Sequence, residues 1–192
     1  RHAVYAMMRW WVDRGVDGFR MDVVDLLSRD PALPDGPVPP GGTFGSAHAA
    51  VSNGPRLEEF LAEMNRAVGL SAGHLLTVGE MPSSTIELAR RVTDPARREL
   101  DMVFTFEHVD LDVRPGGPKW DIVPLPLPLL KRTFAAWQDG LAETGWNSLY
   151  WNNHDQPRAV TRFGDDSPEH RVASAKTLGT VLHLHCGTPY VY

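Results

Sequence analysis

Apolar positions along the chain follow two patterns: a helical spacing, and short runs that are typical of buried strands. Intervals of three and four residues predict amphipathic helices at 1–14, 57–68 and 130–141. Two further helices are predicted by start signals, a capping box of Ser84 with Glu87 and the pair Ser167-Pro168. A short apolar run follows each helix, at 18–24, 75–78, 102–106, 147–151 and 187–192. The pattern therefore predicts five helix-to-strand units.

Helices that alternate with strands in this way predict right-handed crossovers and a parallel sheet. The sheet would be either doubly wound or closed into a barrel, and both architectures place ligands at the carboxyl ends of the strands. Residues 30–54 are rich in Pro and Gly and form a loop too long to be a bare connector, which is typical of functional loops. Polar residues that end the apolar runs are thus the candidates for function.

Composition narrows the classes of partner and site. The chain has 192 residues, of which 42% are hydrophobic and 22% charged, enough for one domain with a sizeable core. A net charge of −5 argues against a nucleic-acid partner, and no apolar run reaches the roughly 20 residues that a membrane span needs. Cys186 is the only cysteine, which excludes an internal disulfide and a multi-thiolate zinc site, and it is expected to be a small buried apolar residue.

Charged residues end three of the predicted strands. Arg20 and Asp22 end the first, Glu80 ends the second, and His154 with Asp155 follows the fourth. Such a cluster of carboxylates suits glycoside hydrolysis, which needs one carboxylate as nucleophile or base and a second, protonated one as acid. A guanidinium beside the nucleophile would keep it ionised and oriented.

Three segments at these strand ends, GFRMDVV at 18–24, TVGEMP at 77–82 and NNHDQPR at 152–158, carry a resemblance to a known family. In order and spacing they resemble signature segments of the family 13 glycoside hydrolases, the α-amylase superfamily, and especially its oligo-1,6-glucosidase and α-glucosidase branch. Further similar stretches are FTFEH at 104–108, KWD at 119–121 and GTPYVY at 187–192. The likeness covers nearly the whole chain.

The resemblance assigns roles to five residues. Asp22 matches the nucleophile that forms a covalent glucosyl-enzyme intermediate, and Glu80 matches the general acid and base. Asp155 matches the carboxylate that stabilises the distorted transition state, His154 matches a contact to the same sugar, and Arg20 matches the partner of the nucleophile. Because the family retains configuration, the carboxyl groups of Asp22 and Glu80 are expected to lie about 5 to 5.5 Å apart.

Two more substrate-binding residues follow from the resemblance. Phe106 would line the side of the site that holds the leaving group. Val23, directly after the nucleophile, is similar to a marker of linkage preference, with Val in enzymes that favour α-1,6 bonds and Thr in those that favour α-1,4.

The resemblance implies a (β/α)8 barrel, of which this chain would cover about strands four to eight. Residues 1–192 would be a partial catalytic domain, without the first barrel strands, the inserted subdomain and the C-terminal β domain. No organic cofactor or metal site is expected within the chain, and the loop that binds calcium in some relatives would lie upstream.

The implied function is a retaining exo-α-glucosidase that hydrolyses terminal α-1,6, or α-1,4, bonds of small oligosaccharides. A transglucosidase or sucrose isomerase of the same branch, and a catalytically inactive scaffold relative, are the alternatives. No nucleic-acid or membrane partner is expected, the oligomeric state is left open, and the absence of a signal peptide from the sequence suggests the cytoplasm.

The residues also have structural interpretations. Arg20 with Asp22 is also compatible with a structural ion pair, Glu80 with a solvated loop carboxylate, and His154-Asp155 with half of a metal site. Trp151 leads directly into the segment of His154 and Asp155, so it fits either core packing or sugar stacking.

Overall fold

Five helix-to-strand units follow one another along the chain. A computed structural model describes residues 1–192. Its strands are β1 (Gly18–Met21), β2 (Leu76–Glu80), β3 (Met102–Phe104), β4 (Ser148–Leu149) and β5 (Thr188–Pro189). Its helices are α1 (His2–Val12), α2 (His48–Val51), α3 (Leu57–Val68), α4 (Ile86–Val92), α5 (Leu127–Leu141), α6 (Ala159–Phe163) and α7 (Arg171–His183). Short 3-10 turns follow β1 at Val24–Leu26 and β3 at Glu107–Val109.

All strand pairs are parallel, as the alternation with helices predicts. Strands β1, β2 and β3 form one sheet in that order, with Arg20 opposite Val78 and Glu80 opposite Phe104. Strands β4 and β5 form a second pair, and a single parallel bridge from Val103 to Asn147 connects the two groups. The strands do not close into a barrel. Their carboxyl ends nevertheless lie on one edge, where the predicted site residues are found.

The core lies between the three-stranded sheet and helices α1, α3 and α4. Helix α3 buries Leu57, Leu61, Met64 and Val68, which recur at intervals of three and four residues and therefore share one face. The helix ends at Gly69, whose φ of 81° is a left-handed conformation that favours glycine. A smaller cluster of Leu130, Leu149, Trp151 and Leu182 packs α5 and α7 against β4. The clusters reach the segments that follow the strands, since Val24 and Met81 belong to the first cluster and Trp151 belongs to the second.

Several local expectations are corrected by the structure. Thr85, not Ser84, caps α4, because its Oγ1 accepts a 3.2 Å hydrogen bond from the Leu88 amide. The Ser167-Pro168 pair opens a turn, and α7 begins only at Arg171. Cys186 is exposed instead of buried.

Helices α1 and α7 bury fewer of their apolar side chains than the spacing of those residues predicts. Helix α1 buries Tyr5 and Met8, while Met7 and Trp11 are about half exposed. Helix α7 buries only Leu182. None of the helices is both long enough and apolar enough to span a bilayer.

Candidate active site

Arg20 joins the carboxylates that end β1 and β2. Its Nη1 donates a 2.6 Å hydrogen bond to Asp22 Oδ1, and its Nη2 donates one to Glu80 Oε2. The parallel register creates this contact, since Arg20 and Glu80 lie near the ends of paired strands. Asp22 is 73% exposed whereas Glu80 is 6% exposed, so one guanidinium connects an open carboxylate with a buried one.

The two carboxyl groups have pKa values shifted in opposite directions. The hydrogen bond from Arg20 is the main cause that holds the pKa of Asp22 below its usual range, with a smaller contribution from the neighbouring Glu80. Burial, followed by the neighbouring Asp22, raises the pKa of Glu80 even though the charge of Arg20 opposes that change. The two opposed shifts favour an ionised Asp22 beside a protonated Glu80.

The chain turns sharply after Asp22. Val23 has φ 37° and ψ 52°, a left-handed conformation that is strained for a β-branched residue. Its backbone also lowers the pKa of the neighbouring Glu80 carboxyl group, against the larger effects of burial and of Asp22. Val23 therefore affects the second carboxyl group through its backbone, directly beside the first.

The turns after β1 and β2 are tied together beneath the site. Asp25, which is fully buried, accepts a 3.0 Å hydrogen bond from the Ser83 amide, and Asn53 Nδ2 donates a 2.7 Å bond to the Ser83 carbonyl. Ser83 Oγ also lies 2.9 Å from His48 Nε2. The long loop at 30–54 is thus anchored next to the strand end that carries Glu80.

Close packing leaves no room for a side chain just before Glu80. A Cβ on Gly79 would lie 2.7 Å from Leu100 Cδ1 and 2.9 Å from Val24 Cγ2. Glycine at this position lets the β2 end sit tightly between its neighbours, which fixes the direction of the following carboxylate.

A cavity of about 200 Å³ opens at this edge of the sheet. Arg20, Glu80 and His154 line it together with Phe104, Tyr150, Asn152, Asn153 and residues 190–192. Asp22 reaches the same place through its bond to Arg20, and the charge of His154 contributes to its lowered pKa. The structure thus brings Arg20, Asp22, Glu80 and His154 together.

Asp155 joins this group through its neighbour His154 and, like Asp22, is not among the residues that line the cavity. It is about half exposed, and its Oδ2 lies 3.2 Å from His154 Nε2. Its amide donates a 2.8 Å bond to Asn153 Oδ1, while its carbonyl accepts a 2.6 Å bond from Lys119 Nζ. Asp155 therefore belongs to a well-held loop at the rim of the cavity.

Phe106 lines a neighbouring groove of about 480 Å³. The groove also contains Asp110, Lys119 and Gln156, and the ring of Phe106 lies 5.9 Å from that of Tyr150, which lines the central cavity. The groove that contains Phe106 therefore lies next to the cavity, with the Phe106 ring beside the cavity-lining Tyr150.

Some residues of the site are not prominent in the sequence. Tyr150 is fully buried, with its hydroxyl 3.0 Å from the Thr105 carbonyl, and Tyr190 stacks edge-on against Phe104 at 4.6 Å. Aromatic residues in apolar runs are ordinarily part of a core, so only the GTPYVY resemblance pointed to Tyr190. Trp151 is buried and donates a hydrogen bond to the Leu178 carbonyl, which supports the packing interpretation over sugar stacking.

Comparisons with known proteins agree with this arrangement. The family described as "Alpha amylase, catalytic domain" matches residues 1–192. An oligo-1,6-glucosidase of Parageobacillus thermoglucosidasius is 57% identical over 192 residues, which are 100% of this chain and 34% of that protein. The chain thus spans about a third of the length of the curated relatives it matches.

Solved structures give the same result. A Bacillus licheniformis trehalose-6-phosphate hydrolase superposes with a TM-score of 0.90 and 44% identity, covering 100% of this chain and 33% of the other. An isomaltulose synthase from Klebsiella sp. LX3 superposes with a TM-score of 0.89 and 34% identity, covering 100% and 34%. These matches support the (β/α)8 fold. The chain therefore belongs to the α-amylase family, within its catalytic domain.

Proposed function

We propose that the protein containing this chain is a retaining exo-α-glucosidase that acts on terminal α-1,6-glucosidic bonds of short oligosaccharides. The observation that carries the proposal is the bridge from Arg20 to Asp22 and Glu80. It joins two carboxyl groups whose pKa values are shifted in opposite directions, which is what an ionised nucleophile and a protonated acid require.

In the first step, the Asp22 carboxylate attacks the anomeric carbon while Glu80 gives its proton to the departing glycosidic oxygen. The bond from Arg20 keeps Asp22 ionised and leaves its second oxygen free for the attack. In the second step, Glu80 is ionised and takes a proton from water, which attacks the anomeric carbon and releases Asp22. Two inversions at one carbon retain the configuration.

The remaining predicted residues have roles in holding the sugar. His154 lines the cavity and would donate to a hydroxyl of the terminal glucose, and Asp155 at the rim would accept from hydroxyls as the ring distorts. The groove that contains Phe106 lies where the leaving group would extend. Val23 would influence which linkage fits, since it directly follows the nucleophile and affects the pKa of Glu80.

The open sheet supports a proposal about architecture. Residues 1–192 would supply strands four to eight of a (β/α)8 barrel in a longer protein, with the remaining strands, the inserted subdomain and a C-terminal β domain outside this chain. Neither step above needs an organic cofactor or a metal. Calcium, where it binds, would bind to segments outside residues 1–192.

The alternatives differ in the fate of the glucosyl intermediate. A transglucosidase or a sucrose isomerase would pass the glucosyl group to a sugar acceptor, and the likeness to an isomaltulose synthase favours keeping this alternative. An inactive scaffold is less well supported, because Asp22 and Glu80 retain the opposed pKa shifts of a working pair.

The proposal is tested with the full-length protein and its Asp22→Asn variant, assayed for glucose release from isomaltose and from maltose. Removing a nucleophile that forms a covalent intermediate should lower kcat by at least about 10³-fold. Asp17→Asn is the matched control, because Asp17 immediately precedes the other end of β1 and is exposed. We expect this control to keep the parental activity.

Each outcome separates the hypotheses. Cleavage of isomaltose that is lost in Asp22→Asn supports the proposal in full. A preference for maltose would contradict only the role of Val23 and leave the mechanism standing. Activity only with sucrose or with added sugar acceptors would favour the transglucosidase. A full-length protein that is inactive on all of these sugars would overturn the enzymatic proposal.

A further inference from the structure

A buried ion pair lies directly behind the loop of His154 and Asp155. Arg162 on α6 and Asp112, which follows β3, have side chains only 4% and 2% exposed. Two hydrogen bonds join them in the side-on manner of a guanidinium and a carboxylate, from Nε to Oδ2 at 2.8 Å and from Nη2 to Oδ1 at 2.6 Å. Neither residue lines the cavity, so the proposed chemistry does not use them directly.

The same guanidinium makes two more bonds. Its Nη2 donates to the Val109 carbonyl at 2.7 Å, and its Nη1 donates to Gln156 Oε1 at 2.8 Å. Gln156 is 9% exposed and follows Asp155 in the chain, and its amide bonds the Asn153 carbonyl at 3.2 Å. Arg162 therefore connects the segment after β3 with the loop at the cavity rim.

This connection is stiff for physical reasons. A guanidinium holds its donors in one plane, and the bidentate bond to Asp112 fixes that plane. With Arg162 and Asp112 buried, water cannot easily replace the bond to Gln156. The other tie to the loop, from Lys119 to the Asp155 carbonyl, comes from an exposed side chain that solvent competes with.

We propose that Arg162 is a positioning residue, which acts through Gln156 to hold Asp155 at the correct place over the terminal sugar. This inference rests on the proposed function, because it concerns the carboxylate that would stabilise the distorted sugar. A displacement of about 1 Å in such a group can lower a rate by on the order of 10²-fold. The loss should appear in kcat, because Asp155 would contribute most in the transition state.

The experiment measures kcat and KM for α-glucoside hydrolysis, with thermal unfolding, on variants of the full-length protein. Gln156→Leu keeps the buried ion pair but breaks its link to the loop, so we expect kcat to fall by about 10- to 100-fold with little change in Tm. Gln156→Glu restores an acceptor for Arg162 and should recover most of the lost kcat.

A second variant separates positioning from any direct contact of Gln156 with substrate in the groove. The double substitution Arg162→Met with Asp112→Leu removes both buried charges together and so avoids leaving one of them unpaired. It should lower kcat about as much as Gln156→Leu. Combining it with Gln156→Leu should cause little further loss, because all three residues act through one connection.

Arg97→Gln is the matched control. Arg97 also pairs with a buried carboxylate, Glu99, whose Oε1 accepts from both Nε and Nη2, near the opposite ends of the strands. It should lower the Tm and leave kcat unchanged.

The proposed function and the inference fail in different ways. If the parent protein cleaves α-glucosides and the Gln156 and Arg162 variants keep its kcat, the positioning role is wrong. The role is also wrong if every loss of kcat among these variants scales with its loss of Tm, which would indicate a general loss of stability. If the parent protein cleaves none of the sugars, the proposed function is wrong, and the positioning role of Arg162 is then wrong as well.

Discussion

At the scale of single residues, Arg20 lowers the pKa values of both carboxyl groups of the candidate site. Its hydrogen bond is the main cause of the lowered pKa of Asp22, and its charge opposes the raised pKa of Glu80. Replacing it, as in Arg20→Gln, should therefore raise both pKa values. A reaction that needs ionised Asp22 and protonated Glu80 has a bell-shaped pH dependence of kcat/KM. Its acidic limb reports the pKa of Asp22 and its basic limb that of Glu80, so both limbs should move to higher pH.

The pH profile of the full-length protein measures this directly. Arg20→Lys is the informative control, because it keeps the charge but lacks the two terminal nitrogens that reach both carboxylates. Its limbs should fall between those of the parent and of Arg20→Gln. Limbs that stay in place, with activity merely scaled down, would mean that Arg20 does not control the two ionisations.

Single residues also show how far the sequence alone can go. Arg20, Asp22, Glu80 and His154 come together as predicted, because parallel strands bring their carboxyl ends to one edge. Arg162 and Gln156 were not predicted. Their contact forms because α6, a helix of five residues, packs against the loop that contains Gln156. A helix this short has no periodic pattern from which it could be predicted.

At the scale of elements, the 3-10 turn after β3 contains a buried histidine that should make the protein sensitive to acid. His108 Nε2 lies 2.7 Å from the Tyr150 carbonyl, and burial lowers the pKa of His108 from 6.5 to about 4. The folded protein then binds fewer protons than the unfolded chain between these values. The contribution of neutral His108 to the free energy of unfolding is therefore complete above about pH 6.5. It falls as the pH decreases, by about 3 kcal/mol once the pH is below 4.

His108→Gln tests this, because the amide can still donate to the Tyr150 carbonyl but does not titrate. The variant should be less stable than the parent at pH 7, where packing is altered, but its unfolding free energy should depend less on pH between 6.5 and 4. Denaturant unfolding of the full-length protein across this range gives both curves. Parallel curves would show that His108 is not buried in its neutral form.

Elements were predicted well where burial imposes a period and poorly where it does not. All five helix-to-strand units are present, since each strand needs a covering helix. The start of α4 was predicted one residue early, because Ser84 and Thr85 are both good caps and only the backbone geometry selects between them. Helix α2 was missed within the long loop, as its four residues bury nothing.

At the scale of the whole molecule, the open arrangement of strands predicts that residues 1–192 alone do not form a stable domain. Strand β1 has a partner on one side only, and a single bridge joins the sheet of β1 to β3 with the pair of β4 and β5. Unpaired strand edges and exposed apolar side chains such as Met7, Trp10 and Trp11 leave much of the outer surface unprotected. A closed barrel would cover both.

The isolated chain should therefore unfold without a sharp thermal transition and should bind a dye specific for exposed apolar surface, whereas the full-length protein should unfold cooperatively and bind little dye. Circular dichroism and dye fluorescence on the two proteins, at equal concentration and pH, make the comparison. Replacing the exposed Trp10 and Trp11 with Gln in the isolated chain should reduce dye binding without creating a transition, because the edge of β1 would still lack a partner. A cooperative transition from the isolated 192 residues would show that five strands suffice, and the proposal that they depend on the rest of a barrel would be wrong.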